Sequence, residues 1–164
     1  MTDPATLPYR PNVGAALFNR VGQILIARRA GHQASFTHPW QLPQGGIDAG
    51  EDPRTAVLRE LGEEIGTTEA AIIGEIPDWI TYDFPPDIAA RLGNRHRGQR
   101  QRWFALRFTG TDAMIRLDAD PNPEFIDWRW ADLATIPALA VPFKRHIYER
   151  IARDFAAFAT PQGD

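Results

Sequence analysis

The sequence predicts an α+β fold: a mixed sheet with an acidic helix mid-chain and a second helix near the C-terminus. Three observations carry this expectation. Short runs rich in β-branched and aromatic residues lie both before and after one central stretch. That stretch, residues 45–66, has a glycine at each end and helical spacing between them. Near the C-terminus, Ile147, Ile151, Phe155 and Phe158 recur at helical period. A chain of 164 residues fits one domain, expected over residues 9–158, with loose termini at 1–8 and 159–164.

Taken in order, residues 13–18 form a compact apolar run and 24–29 a second. The turn residues between them predict a hairpin. Arg28 and Arg29 are adjacent, so in a strand they point to opposite faces and at most one faces a given site. Residues 30–39 have no periodicity and predict a loop; His32 and His38 lack ligand spacing and are loop histidines. Residues 40–44 predict a short strand feeding the glycine-rich turn. Asp52 is placed to cap the central helix, Pro53 suits its first position, and Gly66 suits a left-handed stop. After it, 71–76 and 79–84 predict strands interrupted by Pro77-Asp78. Residues 87–92 read as a short helix or a loop, 99–108 and 126–130 as strands, and 132–137 as a turn or short helix. Residues 142–158 predict a long C-terminal helix lying on the sheet.

Composition narrows the function. The chain has no cysteine, which excludes disulfides, thiolate catalysis and Cys-based zinc sites. No apolar run approaches the ~20 residues that span a bilayer. The first residues lack the apolar core of a secretory signal, so a cytoplasmic location is the expectation. A net charge of −3 excludes a general polyanion magnet. Arginines nonetheless concentrate at 91, 95, 97, 100 and 102. That run is either a solvated charged loop or an anion-binding rim.

The central helix has two faces. At about 100° per residue, Leu58, Leu61 and Ile65 share one arc. Glu60, Glu63 and Glu64 fall on nearly the opposite arc. Like charges at i, i+3 and i+4 repel, so three carboxylates on one stripe need a counter-charge. A hard divalent cation with oxygen ligands supplies one, and Gly45 lets the backbone approach it closely. Arg59, beside the stripe, is placed to orient a glutamate or to neutralise the cluster.

Residues 45–67 resemble the Nudix box, G-x5-E-x7-R-E-U-x-E-E-x-G-U, where U is a bulky aliphatic residue. Gly45, Glu51, Arg59, Glu60, Glu63, Glu64 and Gly66 match every fixed position, and Leu61 fits the first U. Thr67 departs from the second, which touches only a packing contact. The motifs YRPNVG at 9–14, WQLPQGG at 40–46, QRQRWF at 99–104, PEF at 123–125, WRW at 128–130 and VPFKR at 141–145, with Tyr148, resemble one Nudix subgroup. It is the subgroup of RNA pyrophosphohydrolases and dinucleoside polyphosphate hydrolases, and the resemblance spans nearly the whole chain.

The resemblance implies an α/β/α sandwich and cleavage of a phosphoanhydride by water. It implies Mg²⁺ as cofactor, with Mn²⁺ or another divalent cation as substitutes. The implied ligands are Gly45, Glu60, Glu63, Glu64 and the sequence-distant Glu124. One of Glu60, Glu64 and Glu124 takes the proton of the attacking water, with Arg59 in the same catalytic group. Arg10, Arg29, Gln99, Gln101 and Lys144 are candidate phosphate contacts. Tyr82 and Phe143 either stack on a terminal base or pack in the core. The implied substrate is 5′-triphosphorylated RNA, converted to a 5′-monophosphate end and so made labile. The alternative is a dinucleoside polyphosphate, with diadenosine tetraphosphate split to ATP and AMP. The complete acidic stripe argues against a domain that only binds nucleotides.

Overall fold

The apolar runs become strands, and the strands share one sheet. The structure, a computed structural model, describes residues 3–30 and 37–162. Its main elements are β1 (Tyr9–Phe18), β2 (Ile24–Arg29), β3 (Trp40–Gln41), β4 (Gln44–Gly46), α1 (Pro53–Ile65), β5 (Ala70–Glu75), β6 (Ile80–Asp83), α2 (Pro86–Arg91), β7 (Gly98–Phe108), β8 (Phe125–Ala131), α3 (Ile136–Leu139) and α4 (Arg145–Asp154). Strand order is β3-β2-β1-β7-β5, with β4 beside β1, β6 beside β7 and β8 beside β2. The β1–β7 pair is parallel, from Tyr9↔Gly98 to Phe18↔Arg107. Every other pair is antiparallel, so the sheet is mixed, as expected.

Period-two alternation along the central pair sorts residues between two cores. Ala16, Phe18, Trp103 and Ala105 pack on one face with Ile147, Tyr148 and Ile151 of α4. Val13, Leu17, Phe104 and Leu106 pack on the other with Val57, Leu61 and Ile65 of α1. Helices therefore cover both faces, which is the α/β/α sandwich that the resemblance implied.

Several elements differ in detail. The hairpin of β1 and β2 closes at Phe18↔Ile24; farther along β1, Asn12–Gly14 pair instead with β4. The strand expected over 40–44 is split at Leu42-Pro43. Leu42 donates its N–H to the Tyr148 hydroxyl at 2.9 Å, and Pro43 has no N–H to give a ladder. Residues 87–92 resolve as helix α2, and 132–137 as a 3₁₀ turn running into α3. The C-terminal helix is shorter than expected: ten residues flanked by 3₁₀ turns at Pro142–Lys144 and Ala156–Phe158. The tighter turn brings i and i+3 onto one side, which sets Phe155 and Phe158 together on Phe18. In the N-terminal arm, Pro4–Thr6 forms a 3₁₀ turn. Within the 30–39 loop, residues 31–36, including His32, lie outside the described residues; His38 Nδ1 sits 2.7 Å from Thr37 Oγ1.

Candidate active site

Local sequence fixes where α1 starts and stops. Asp52 Oδ2 accepts from the N–H groups of Arg54 and Thr55 at 3.1 and 3.4 Å. Pro53 opens the helix, and Gly66, at φ +77°, closes it in a conformation that costs glycine little. Burial of Val57, Leu61 and Glu64 at i, i+4 and i+7 shows that the inward arc reaches into the acidic stripe. The three glutamates therefore do not share one solvated face. Glu63 is exposed and Glu60 half-buried, while Glu64 is only 4% exposed.

Arg59 ties the acidic groups together. Its Nε and Nη2 each donate to Glu51 at 2.8 Å. Nη1 donates to Glu60 at 2.9 Å and to Glu63 at 3.2 Å. Nη2 also reaches the Gly46 carbonyl at 2.9 Å, which links the helix to β4. The Arg59 hydrogen bonds, helped by the Asp48 N–H, lower the Glu51 pKa to about 2. The same bond to Glu51, with those to Glu60 and Glu63, raises that of Arg59.

Glu64 is different. Both of its carboxylate oxygens are buried with no hydrogen-bond partner. Burial first, then the charges of Glu124 and Glu60, push its pKa well above the ordinary value, and Arg29 opposes this. Burial also raises Glu60, with Arg59 opposing and Glu63 and Glu124 adding. Glu124, far away in sequence, thus stands beside both. Gly45 closes the group, because a Cβ there would overlap the Glu60 carboxylate. Among the described residues no three acidic or imidazole groups are already gathered at metal-ligating spacing. Glu60 and Glu63 instead turn to Arg59. The donor set still fits a hard divalent cation: carboxylate oxygens, an orphaned buried pair on Glu64, and room for backbone approach at Gly45.

A polar ladder runs along the α4-side face of β1 and β7, at the end nearest the acidic group. Gln101 Nε2 donates to Asn12 Oδ1 at 2.9 Å and Gln44 Oε1 at 3.0 Å. Tyr82 donates its hydroxyl to Gln99 Oε1 at 2.6 Å. Lys144 Nζ lies 3.2 Å from Gln44 Oε1 and 5.0 Å from the Tyr82 ring centroid. Lys144 is half-buried, with its ammonium against these groups. Burial, then Arg29, lowers its pKa to about 7. Burial raises that of Tyr82. Phe143 stacks at an angle on Tyr82, with ring centroids 5.8 Å apart. The Arg10 guanidinium covers Gly46, filling the space a Cβ would need, and acts on Tyr82 together with Arg29.

The fold thus brings together Gly45, Arg59, Glu60, Glu63, Glu64 and Glu124, and next to them Arg10, Arg29, Tyr82, Gln99, Gln101, Phe143 and Lys144. Sequence reasoning missed Asn12 and Gln44, which complete the ladder; Gln44 immediately precedes Gly45, and that adjacency was the available signal. The arginines of 91–102 do not form one rim. Arg91 and Arg97 pair with Asp87 and Asp83, and Arg100 and Arg102 lie on the opposite face of β7.

Such a sandwich, with an acidic helix opening on a glycine loop, defines a class of hydrolases that cleave phosphoanhydride bonds with divalent cations. The family model for the NUDIX domain matches residues 8–151, and the chain belongs to the Nudix family. It is 68% identical over 163 residues to the RNA pyrophosphohydrolase of Acidiphilium cryptum, covering 99% of each protein. It is 58% identical to that of Gluconacetobacter diazotrophicus, over 98% of this chain and 99% of the relative. Among solved structures, the dihydroneopterin triphosphate pyrophosphohydrolase of E. coli superposes with a TM-score of 0.68 at 17% identity, covering 90% of this chain and 99% of that one. The Ap4A hydrolase of C. elegans superposes at 0.65 and 17%, covering 90% and 98%. At such identities these two speak for the fold alone.

Proposed function

We propose that this protein, through one Nudix domain over residues 9–158, is a Mg²⁺-dependent RNA pyrophosphohydrolase that converts 5′-triphosphate RNA ends to 5′-monophosphates and so promotes RNA decay. One observation carries the reading. The Glu60 carboxylate lies against Gly45, and the preceding residue, Gln44, meets Lys144 Nζ at 3.2 Å, so the acidic helix face and a half-buried cation adjoin through β4. A polyphosphate lying along β4 therefore meets carboxylates at Gly45 and the Lys144 ammonium at Gln44. The relatives named RNA pyrophosphohydrolase support the choice of substrate.

The bond broken joins the α- and β-phosphates. Water oxygen bonds to phosphorus, pyrophosphate leaves with the bridging electron pair, and the water proton passes to a carboxylate. Glu60, Glu64 and Glu124 are the candidates to receive it. Gly45, Glu60, Glu63, Glu64 and Glu124 would hold Mg²⁺, with Mn²⁺ as a substitute. A divalent cation bound there neutralises phosphate oxygens and lowers the pKa of water. Arg59 keeps Glu60 and Glu63 in place. Arg10, Arg29 and Lys144 hold phosphate oxygens, and Gln99 and Gln101 orient the groups around them. Tyr82 is packed in the core and backs the half-buried Phe143, whose ring offers a face to the terminal base.

The test compares kcat/KM in Mg²⁺ for a short RNA with an unpaired 5′-triphosphate end and for diadenosine tetraphosphate. A preference for RNA, with pyrophosphate and a 5′-monophosphate end as products, is expected. A preference for the dinucleotide overturns the assignment.

A further inference from the structure

The arginine-rich run leaves two side chains that the chemistry above does not use. Alternation along β7 puts Arg100 and Arg102 behind Gln99 and Gln101, on the α1 side of the sheet. Both lie over Trp79, with the Arg100 guanidinium carbon 4.3 Å and that of Arg102 5.6 Å from the ring centroid. Trp79 sits in the connection between β5 and β6 and is 38% exposed. Next to it, Arg54 of α1 and Arg102 share one carboxylate, Glu75, at 3.0 and 2.9 Å. Two arginines thus share one glutamate, and the third, Arg100, lies over Trp79 with no carboxylate partner among the described residues. This is a local positive excess around a partly exposed indole, in a chain whose net charge is −3.

We propose that Trp79, Arg100, Arg102 and Arg54 form a second nucleic-acid contact, a platform for single-stranded RNA downstream of the 5′ end. The inference rests on the RNA reading of the active site. An indole face stacks any base, and a guanidinium fork matches phosphate oxygens; proteins that hold single strands without sequence preference combine the two. The topology places the platform one short strand from the site. Thr81 and Tyr82 of β6 pair with Arg100 and Gln99, and β6 pairs with β7 alone among the described strands. A chain leaving the Tyr82 side and crossing β6 reaches the platform on the other face of the sheet. A free nucleotide ends before reaching it.

The experiment titrates the full chain with a fluorescent, unstructured RNA of about twelve nucleotides bearing a 5′-hydroxyl, which denies the active site its phosphates. Wild type is compared with Trp79→Ala, Arg100→Gln and the double variant at two salt concentrations. The expected loss is about tenfold in affinity per stacking or phosphate contact, with a shallower salt dependence for Arg100→Gln. In turnover, KM for a long 5′-triphosphate RNA rises while kcat, and both constants for a 5′-triphosphate dinucleotide, stay at wild-type values. The unchanged dinucleotide kinetics also report that the variants are folded. Unaltered binding by the double variant, or no binding by wild type, overturns the platform whatever the turnover shows. Binding that depends on Trp79, without turnover of triphosphate RNA, overturns the proposed reaction and leaves the platform standing.

Discussion

Arg59 holds Glu51 through two hydrogen bonds of 2.8 Å, one from Nε and one from Nη2. The remaining N–H groups of the same guanidinium reach Glu60, Glu63 and the Gly46 carbonyl. Glu51 thus fixes the fork that in turn spaces the helix glutamates. This makes the pair an acid-sensitive joint. The Glu51 pKa falls from 4.5 to about 2 in the folded chain, chiefly through Arg59. Above pH 4.5 both folded and unfolded states are ionised, and the pair's contribution is complete. Between 4.5 and 2 the unfolded state binds the proton first, so that contribution drains away as pH falls. Melting temperature followed from pH 6 to pH 2 should decline more gently in Glu51→Gln than in wild type. Identical acid limbs would mean that the pair contributes nothing to folding.

Glu64 behaves in the opposite sense, because its carboxylate is buried without a hydrogen-bond partner. Without a cation, holding the charged form there is costly. Glu64→Gln is expected to melt at or above the wild-type temperature in chelator, and to gain none of the stabilisation expected for wild type on adding Mg²⁺. Its kcat should fall at least about a hundredfold, and Glu63→Gln should lose turnover without unfolding. Near-normal turnover in the folded double variant would remove both residues from the cation site.

Much of this was legible in the sequence. The caps at Asp52 and Gly66 and the strands 24–29 and 99–108 follow from local rules of turn chemistry and alternation. So does the separation of Arg28, which is exposed, from Arg29, which acts on the site. Helical spacing put Glu60, Glu63 and Glu64 on one stripe, yet it does not say how the helix is rolled on the sheet. The packing of Val57 and Leu61 decides that, and it turns Glu64 inward. Likewise the run at 91–102 shows its charge but not its direction, since the register of β7 sends odd and even residues to opposite faces. Asn12 and Gln44 join the ladder through Gln101, contacts that span 89 and 57 positions in the chain, and Gln44 also through Lys144, 100 positions away.

Lys144 makes a pH signature testable. Burial and, secondarily, Arg29 lower its pKa from 10.5 to about 7. Only the protonated form attracts a phosphate oxygen, and kcat/KM reports the free enzyme. Wild-type kcat/KM should therefore fall as pH rises through about 7. Stability carries the opposite sign, because from pH 7 to 10.5 the unfolded chain binds the extra proton, and this group's contribution grows with pH. Lys144→Arg, charged throughout the range, should lose the falling limb of kcat/KM. A limb that survives in the arginine variant assigns it to another group.

The last expectation concerns geometry rather than charge. Gly45 lies against the Glu60 carboxylate so closely that a Cβ would overlap it, and its pairing with Val13 in β1 holds its backbone in place. With the backbone pinned, the Glu60 side chain is the part free to move. Gly45→Ala should then swing this carboxylate away from Glu64 and toward the solvent side of Arg59. A displacement on the scale of 1 Å costs about a hundredfold in a positioned reaction, while the core clusters on both faces of the sheet are untouched. Turnover should thus fall steeply with little change in melting temperature, and the Mg²⁺ concentration for half-maximal activity should rise. If the alanine variant instead unfolds early with normal turnover per folded molecule, Gly45 serves the packing of β4 on β1 and not the placement of Glu60.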